Sequence, residues 1–251
     1  MSPVVGAYYA IHYGADYLEH SIRSIYGAVD MIGIFYTELP SHGHRDTQIK
    51  NPDSREEVMA AIRRAGDPEG KVFIQRGAWV HEFQHRDWAV QYMKKRGTEL
   101  VLVVDSDEIW KPSVLPEVLD AAWHMEAMLF RVNFVHLWRS FNWVCRDQMM
   151  PVRILKAMWG PEDYIRMSSP VYHFGYAQRP ELVRYKASIH GHRSEWRQDW
   201  FEEKFLAWRA GNGVGDVHPT AKGLWFPESS HKEILPALMR SHPYWNVELI
   251  E

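Results

Sequence analysis

The chain has 251 residues, 46% hydrophobic and 24% charged, with a net charge of −3. That suits one globular domain with a substantial core and gives no bulk attraction to polyanions. Its one cysteine, Cys145, excludes an intrachain disulfide and fits a reducing compartment.

The longest aliphatic run, residues 100–104, is far short of the roughly 20 residues of a membrane helix. The opening Met-Ser-Pro-Val-Val-Gly has neither a basic n-region nor a cleavage site, so a cytoplasmic location is expected. Residues 4–11 read as a strand, and residues 17–28 as a helix with Leu18, Ile22, Ile25 and Val29 on one stripe. Residues 30–37 return to a strand pattern, and 38–53 form a polar loop. A helix over 54–65 is capped by Asp53 or Ser54 and stopped by Gly66. A short strand at 71–75, a helix over 81–96 ended by Gly97, and a bare apolar strand at 99–104 follow. Further on come a helix around 114–122, strands at 128–135 and 152–157, a strand starting at Val171, and a helix over 200–208. No repeat or linker divides the chain, so one domain is expected. The alternation predicts an α/β fold with a mostly parallel sheet, because parallel neighbours need crossover helices. Twelve Trp and twelve Tyr exceed what such a core requires. The surplus suits platforms for sugars or bases, or simply packing.

The strand at 99–104 carries Leu-Val-Leu-Val-Val, a pattern buried on both faces, and delivers Asp105-Ser106-Asp107-Glu108 to its carboxyl end. In open α/β sheets, ligands sit at that end. Alternation along a strand would project Asp105 and Asp107 the same way. Paired carboxylates call for a counter-charge, and a hard cation such as Mg²⁺ or Mn²⁺ also binds phosphates. It would neutralise charge on a nucleoside-diphosphate leaving group. With 13 Asp, chance supplies roughly 0.7 Asp-x-Asp triplets in such a chain, so the motif draws its force from context. The plain alternative is a solvated turn with two unrelated carboxylates.

The context resembles a known family. Gln84-His85-Arg86-Asp87-Trp88-Ala89-Val90-Gln91-Tyr92, then Leu102-Val103-Val104-Asp105-Ser106-Asp107-Glu108, is similar to family 2-like GT-A glycosyltransferases. These carry Arg-Asn-x-Ala on a helix and an apolar strand ending in Asp-x-Asp-Glu. The opening is similar too, in Asp16-Tyr17-Leu18-Glu19 and Asp30-Met31-Ile32-Gly33-Ile34. The likeness covers about residues 3–112 and, more loosely, 172–186. It implies a single GT-A (Rossmann-like) domain, with a nucleotide-sugar half over 1–112 and an acceptor half with C-terminal helices over 113–251. By that resemblance Asp107 is a direct metal ligand and Asp105 meets ribose or metal. Ala10, His12, Tyr13, Glu38 and Ser106 would lie on the nucleotide side, with Arg86 or Asp87 close by. The chain departs from the family at Asp87, where Asn is usual, and lacks an Asn-Glu pair near His12 and Tyr13. His173-Phe174-Gly175-Tyr176 resembles a His-x-Gly-aromatic segment whose His is a third metal ligand, which would favour Mn²⁺. Lys186, Arg179 and Arg184 are candidates for diphosphate oxygens. The implied donor is a nucleotide-sugar, with a UDP-sugar expected. The acceptor is a saccharide, lipid, protein or modified DNA, such as a hydroxymethylated base.

An inverting enzyme needs a base near the acceptor hydroxyl, and Glu162 and Asp163, beside Trp159, are the candidates. Helix-capping acids in a turn are the plainer reading. Three other functions compete. His81-Glu82-Phe83-Gln84-His85 spells the zinc-protease signature, though no third ligand follows at a recognisable spacing. A metal-dependent phosphoesterase would use the same aspartates with further ligands. Arg131, Trp138, Arg139, Trp143, Arg146 and Arg153 interleave basic and aromatic residues as nucleic-acid stacking platforms do.

Overall fold

A computed structural model describes residues 2–40, 45–157, 163–211 and 215–250. It is an α/β fold built on one mixed sheet. The first half alternates β1 (Val5–Ile11), α1 (Ala15–Ile25), β2 (Met31–Tyr36), α2 (Arg55–Ala65), β3 (Val72–Arg76), α3 (Glu82–Lys95) and β4 (Leu100–Val103). Its strands β3, β2, β1 and β4 are all parallel. Alternate side chains serve the two faces. Ala7, Tyr9, Ile34 and Leu102 pack with Leu18 and Ile22 of α1 and Val58 of α2, while Tyr8, Phe35 and Val103 pack with Ala89 and Met93 of α3. Both faces are covered, which is why β4 is apolar throughout.

The second half comprises β5 (Glu108–Ile109), α4 (Leu115–His124), β6 (Leu129–Trp138), β7 (Trp143–Arg146), β8 (Val152–Lys156), β9 (Tyr164–Tyr176), α5 (Pro180–Ile189) and β10 (Glu228–Ser229). Here the expected parallel sheet gives way to a mixed one. β8 runs antiparallel to β4 and β6, β7 antiparallel to β6, and β9 parallel to β6. The strands lie in the order β10-β7-β6-β8-β4-β1-β2-β3, and β9 lies along β6 and also pairs with β5. For β6 and β7 the reason is connection length, because the short link at 139–142 suffices only for an antiparallel neighbour; β8 then continues in the direction of β7 on the other side of β6. The expected C-terminal helices are replaced by a π-helical segment at Phe201–Leu206 and short 3-10 turns. Trp138, Tyr176, Trp200, Phe205, Trp208 and Trp225 build a separate aromatic cluster there. Among the described residues, no helix is long and apolar enough to cross a membrane.

Two capping arrangements set the first half. Ser54 and Glu57 form a reciprocal capping box on α2. For α1 the cap is remote: the Asp53 carboxylate accepts the backbone N–H groups of Gly14 and Ala15 at 2.7 and 2.9 Å. Gly14 itself has φ 116°, and a Cβ there would lie 1.9 Å from Ser106 Oγ. Only glycine lets the end of β1 approach the acidic motif so closely.

Candidate functional site

A cavity of about 530 Å³ opens where β1 and β4 end and the last residues of β9 cross them. Its wall includes Ala10, His12 and Tyr13 from the end of β1, Arg86 from α3, Asp105, Ser106 and Asp107, and His173 and Lys186. Chain segments far apart in sequence meet here because the parallel strands all end on one side.

The acidic motif occupies a turn, not the strand continuation that alternation predicts: β4 stops at Val103, and Glu108 N–H donates to Asp105 O at 3.0 Å. The two aspartates therefore have different surroundings. Asp105 Oδ1 accepts from Arg86 Nη2 at 3.0 Å and Oδ2 from Arg153 Nη2 at 2.7 Å. Burial would raise the Asp105 pKa, but these two guanidinium groups outweigh it and hold the carboxyl well below its ordinary value. Arg153 also donates through Nε to both oxygens of the fully buried Glu108, at 2.9 Å each. Burial pushes the Glu108 pKa up while Arg153 opposes it.

Asp107 faces a different set. Gln178 Nε2 donates to its Oδ2 at 3.0 Å, Lys186 Nζ lies 3.4 Å from the same oxygen, and His173 Nε2 lies 3.7 Å from Oδ1. His173 Nδ1 is 2.8 Å from Nδ1 of His136 on β6, whose Nε2 lies 3.2 Å from Asp147 Oδ2. Burial lowers the pKa of both imidazoles, reinforced at His173 by Lys186 and opposed at His136 by Asp147, so both rings are neutral near pH 7. Burial alone would raise the Asp147 pKa, but His136 and the Met149 N–H hold it below the ordinary range.

The expected metal trio does not form a ligand set. Among the described residues, no group of three or more His, Cys, Asp or Glu is arranged to hold a metal, because two arginines occupy the Asp105 oxygens. Asp107 and His173 remain as a pair. A pair fits a hard cation that takes one or two protein ligands and completes its shell with substrate phosphates and water.

Other expected residues fall outside the cavity or face the protein. Glu38 is exposed and paired with Arg55 at 3.3 Å. Asp87 is exposed on α3, on the side turned away from Asp105, with Gln91 as its neighbour. Asp163 is exposed at the start of β9, where its carbonyl oxygen accepts the Leu129 N–H; His173 lies opposite His136, seven residues along β6 from Leu129, so at roughly 3.3 Å per residue the two are about 23 Å apart. Asp163 therefore cannot serve as a base in this cavity, and Glu162 and Trp159 lie outside the described residues. Ser106 lines the cavity, with its hydroxyl donating to Tyr13 O at 3.4 Å. His12 lines it too, but Nδ1 donates to Thr37 O at 3.0 Å and Nε2 accepts from Tyr185 Oη at 2.6 Å, tying β1 to α5. Arg179 pairs with Asp16 and Asp53, and Arg184 lies over Phe201, so of the three proposed phosphate contacts only Lys186 faces the cavity.

The His-Glu-x-x-His signature does not present a zinc face. His81 flanks α3 in extended backbone, and Glu82 binds Arg86 at 2.8 Å. His85 is buried against Trp79, with Nε2–H donating to Phe35 O at 2.9 Å. The interleaved basic and aromatic run is no surface platform either, since Trp138, Arg139 and Arg153 are buried.

His136, Asp147, Gln178 and Trp225 are site residues that the sequence reading missed; Arg153 figures in it only within the basic and aromatic run, and Tyr176 only as the aromatic of the His-x-Gly segment. One signal was present: a histidine in the otherwise apolar Phe134-Val135-His136-Leu137-Trp138, where a buried titratable group asks for a partner.

No family model matches the chain, and no curated protein does. Among solved structures, one titled "Crystal Structure of a Mycobacterial Protein" is similar over 53% of this chain and 42% of that one, with 13% identity and a TM-score of 0.38. The chain thus spans less than half of that protein's length.

Proposed function

We propose that this chain is a glycosyltransferase of the GT-A type, moving a sugar from a nucleotide-sugar to an acceptor hydroxyl in this cavity. One observation carries the reading: the acidic turn, the end of β1, Arg86 and Lys186 converge on a single cavity at the carboxyl ends of parallel strands. Its volume, about 530 Å³, lies within the usual range for small-molecule sites. In this reading the nucleoside lies along Ala10 and Tyr13, and Lys186 and Arg86 offer positive charge to the diphosphate. Asp105 keeps Arg86 and Arg153 in place, while Asp107 and His173 would hold Mn²⁺ or Mg²⁺. Such a cation, when bound, supplies charge neutralisation for the departing diphosphate.

The same cavity has walls that suit an acceptor. Trp196 and Trp225 line it, and indole faces stack well on sugar rings. With Asp163 outside, Glu195 and His192, 2.8 Å apart on the cavity wall, are the candidates to take the hydroxyl proton. A saccharide is the acceptor these aromatic walls fit best; lipid, protein or modified DNA would have to present a comparable ring.

A thermal-shift screen of UDP-, GDP-, CMP- and dTDP-sugars, with and without Mn²⁺, tests the reading. One donor class should raise the melting temperature selectively, and more strongly with Mn²⁺. No shift with any of them would overturn it.

A further inference from the structure

His173 is backed by a second imidazole. Parallel pairing of β6 and β9 sets His136 directly opposite His173, and the two Nδ1 atoms lie 2.8 Å apart. At that distance one ring donates and the other accepts, so a single proton occupies the contact. Which ring supplies it is decided at the far end of His136.

There, His136 Nε2 lies 3.2 Å from Asp147 Oδ2, off the line of an ideal hydrogen bond. The other oxygen of Asp147 accepts the Met149 N–H at 2.9 Å. A carboxylate can only accept, so the proton on this side belongs to His136 Nε2. A neutral imidazole carries one N–H, which leaves His136 Nδ1 bare. The proton between the rings therefore sits on His173 Nδ1, and His173 Nε2 is bare as well. The separation from Asp107 agrees: at 3.7 Å, Nε2 is too far to be donating a hydrogen bond to Oδ1. Two electron-rich atoms thus face each other, with the Lys186 ammonium 3.4 Å from the other Asp107 oxygen. Phe134 stacks on His173 with a 6° interplanar angle, and the Trp225 ring centroid lies 4.3 Å from that of His136, limiting rotation of both rings.

We infer that Asp147 and His136 are a positioning pair, which fixes His173 in the tautomer that presents a bare Nε2 beside Asp107. The consequence for cation affinity rests on the reading that Asp107 and His173 hold a divalent cation. Groups that orient a ligating histidine in this way typically change metal affinity by about 10- to 100-fold when removed.

The experiment is ¹⁵N NMR of the imidazole nitrogens in the full chain, together with Mn²⁺ titration followed by electron paramagnetic resonance. In the unsubstituted protein, His173 should show a protonated Nδ1 and a bare Nε2, and His136 the reverse. In Asp147→Ala and in His136→Phe the His173 signals should move toward the tautomer average. Mn²⁺ affinity should fall about tenfold in Asp147→Ala. A His173 protonated on Nε2 in the unsubstituted protein would overturn the inference, and so would an unchanged His173 tautomer in both variants. Absence of Mn²⁺ binding by the unsubstituted protein would be a failure of the cation reading alone, since the tautomer is decided by the nitrogen spectrum.

Discussion

The two halves of the sheet obey different rules. From β1 to β4, strands alternate with helices that cover the two faces of the sheet, and the pattern repeats through local sequence. From β5 onward, strands pair with partners far away: β9 lies along β6 and also against β5, and β8 inserts between β6 and β4. The cavity lies on the seam. Its acidic turn comes from the local half, where Arg86 on α3 also holds it, and the other groups that hold that turn come from the second half: Arg153 on β8, His173 on β9, Gln178 just before α5 and Lys186 on it. On the second side, His173 and Lys186 are read from sequence only through the family resemblance.

The sharpest way to break this comparison is at the seam. Asp107→Ala should lower turnover by on the order of 10³-fold if the turn stabilises the departing diphosphate, while circular dichroism shows an intact fold. Turnover within a few-fold of the unsubstituted protein would remove Asp107 from the chemistry. Arg153→Met tests whether the second half holds the turn in place. It leaves the fully buried Glu108 without its guanidinium and Asp105 with Arg86 alone. Breaking a buried ion pair costs about 3–5 kcal/mol, to be measured by urea denaturation. A loss below about 1 kcal/mol, the level of a surface pair, would mean that the acidic turn stands without its partner on β8.

Legibility followed the same division. The stripe Leu18, Ile22, Ile25 marks α1, and Asp53 or Ser54 with Gly66 marks the ends of α2, because each signal lies within a few residues. The mixed sheet was not legible, since β8 and β9 declare neither their partners nor their directions. Val171 was read as a strand start although β9 begins at Tyr164; residues 164–170, with Arg166, Ser168, Ser169 and Pro170, give no apolar pattern. In the site, Asp105, Asp107, Arg86, His173 and Lys186 were named from motif and resemblance, and they do line one cavity. His136 and Asp147 were not, and Arg153 was named only for a nucleic-acid platform. Their roles depend on register between strands, which a single sequence does not contain.

The C-terminal segment belongs to the second half in sequence yet packs on the first, and pH can expose that contact. His242 stacks on Tyr17 with ring centroids 4.4 Å apart; its Nε2–H donates to Asp16 O at 2.9 Å, and its Nδ1 accepts the Tyr244 N–H at 3.1 Å. Both nitrogens are committed to the neutral ring. Burial lowers its pKa to about 4, from an ordinary 6.5. The unfolded chain therefore takes up this proton first as pH falls, so the contribution is complete above about pH 6.5 and declines toward pH 4. Between pH 7.5 and 5 the loss should be about 2 kcal/mol. His242→Phe, which keeps the stack, should remove that part of the dependence in urea titrations. An unchanged slope would mean that His242 does not titrate across folding.

The smallest effect separates local from remote capping within the first half itself. The Ser54 hydroxyl accepts the Glu57 N–H at 3.2 Å, and the Glu57 carboxylate accepts the Ser54 N–H at 2.7 Å. All of this is exposed and contained in one turn, so Ser54→Ala should cost only about 1 kcal/mol. Asp53, one residue earlier, instead caps α1 and also pairs with Arg179, with its side chain fully buried. Asp53→Ala should exceed Ser54→Ala, because it leaves the Gly14 and Ala15 N–H groups without their acceptor and Arg179 with Asp16 alone. Equal losses in the two variants would show that α1 is held by its apolar stripe alone, and that the end of β1 reaches the acidic turn without help from Asp53.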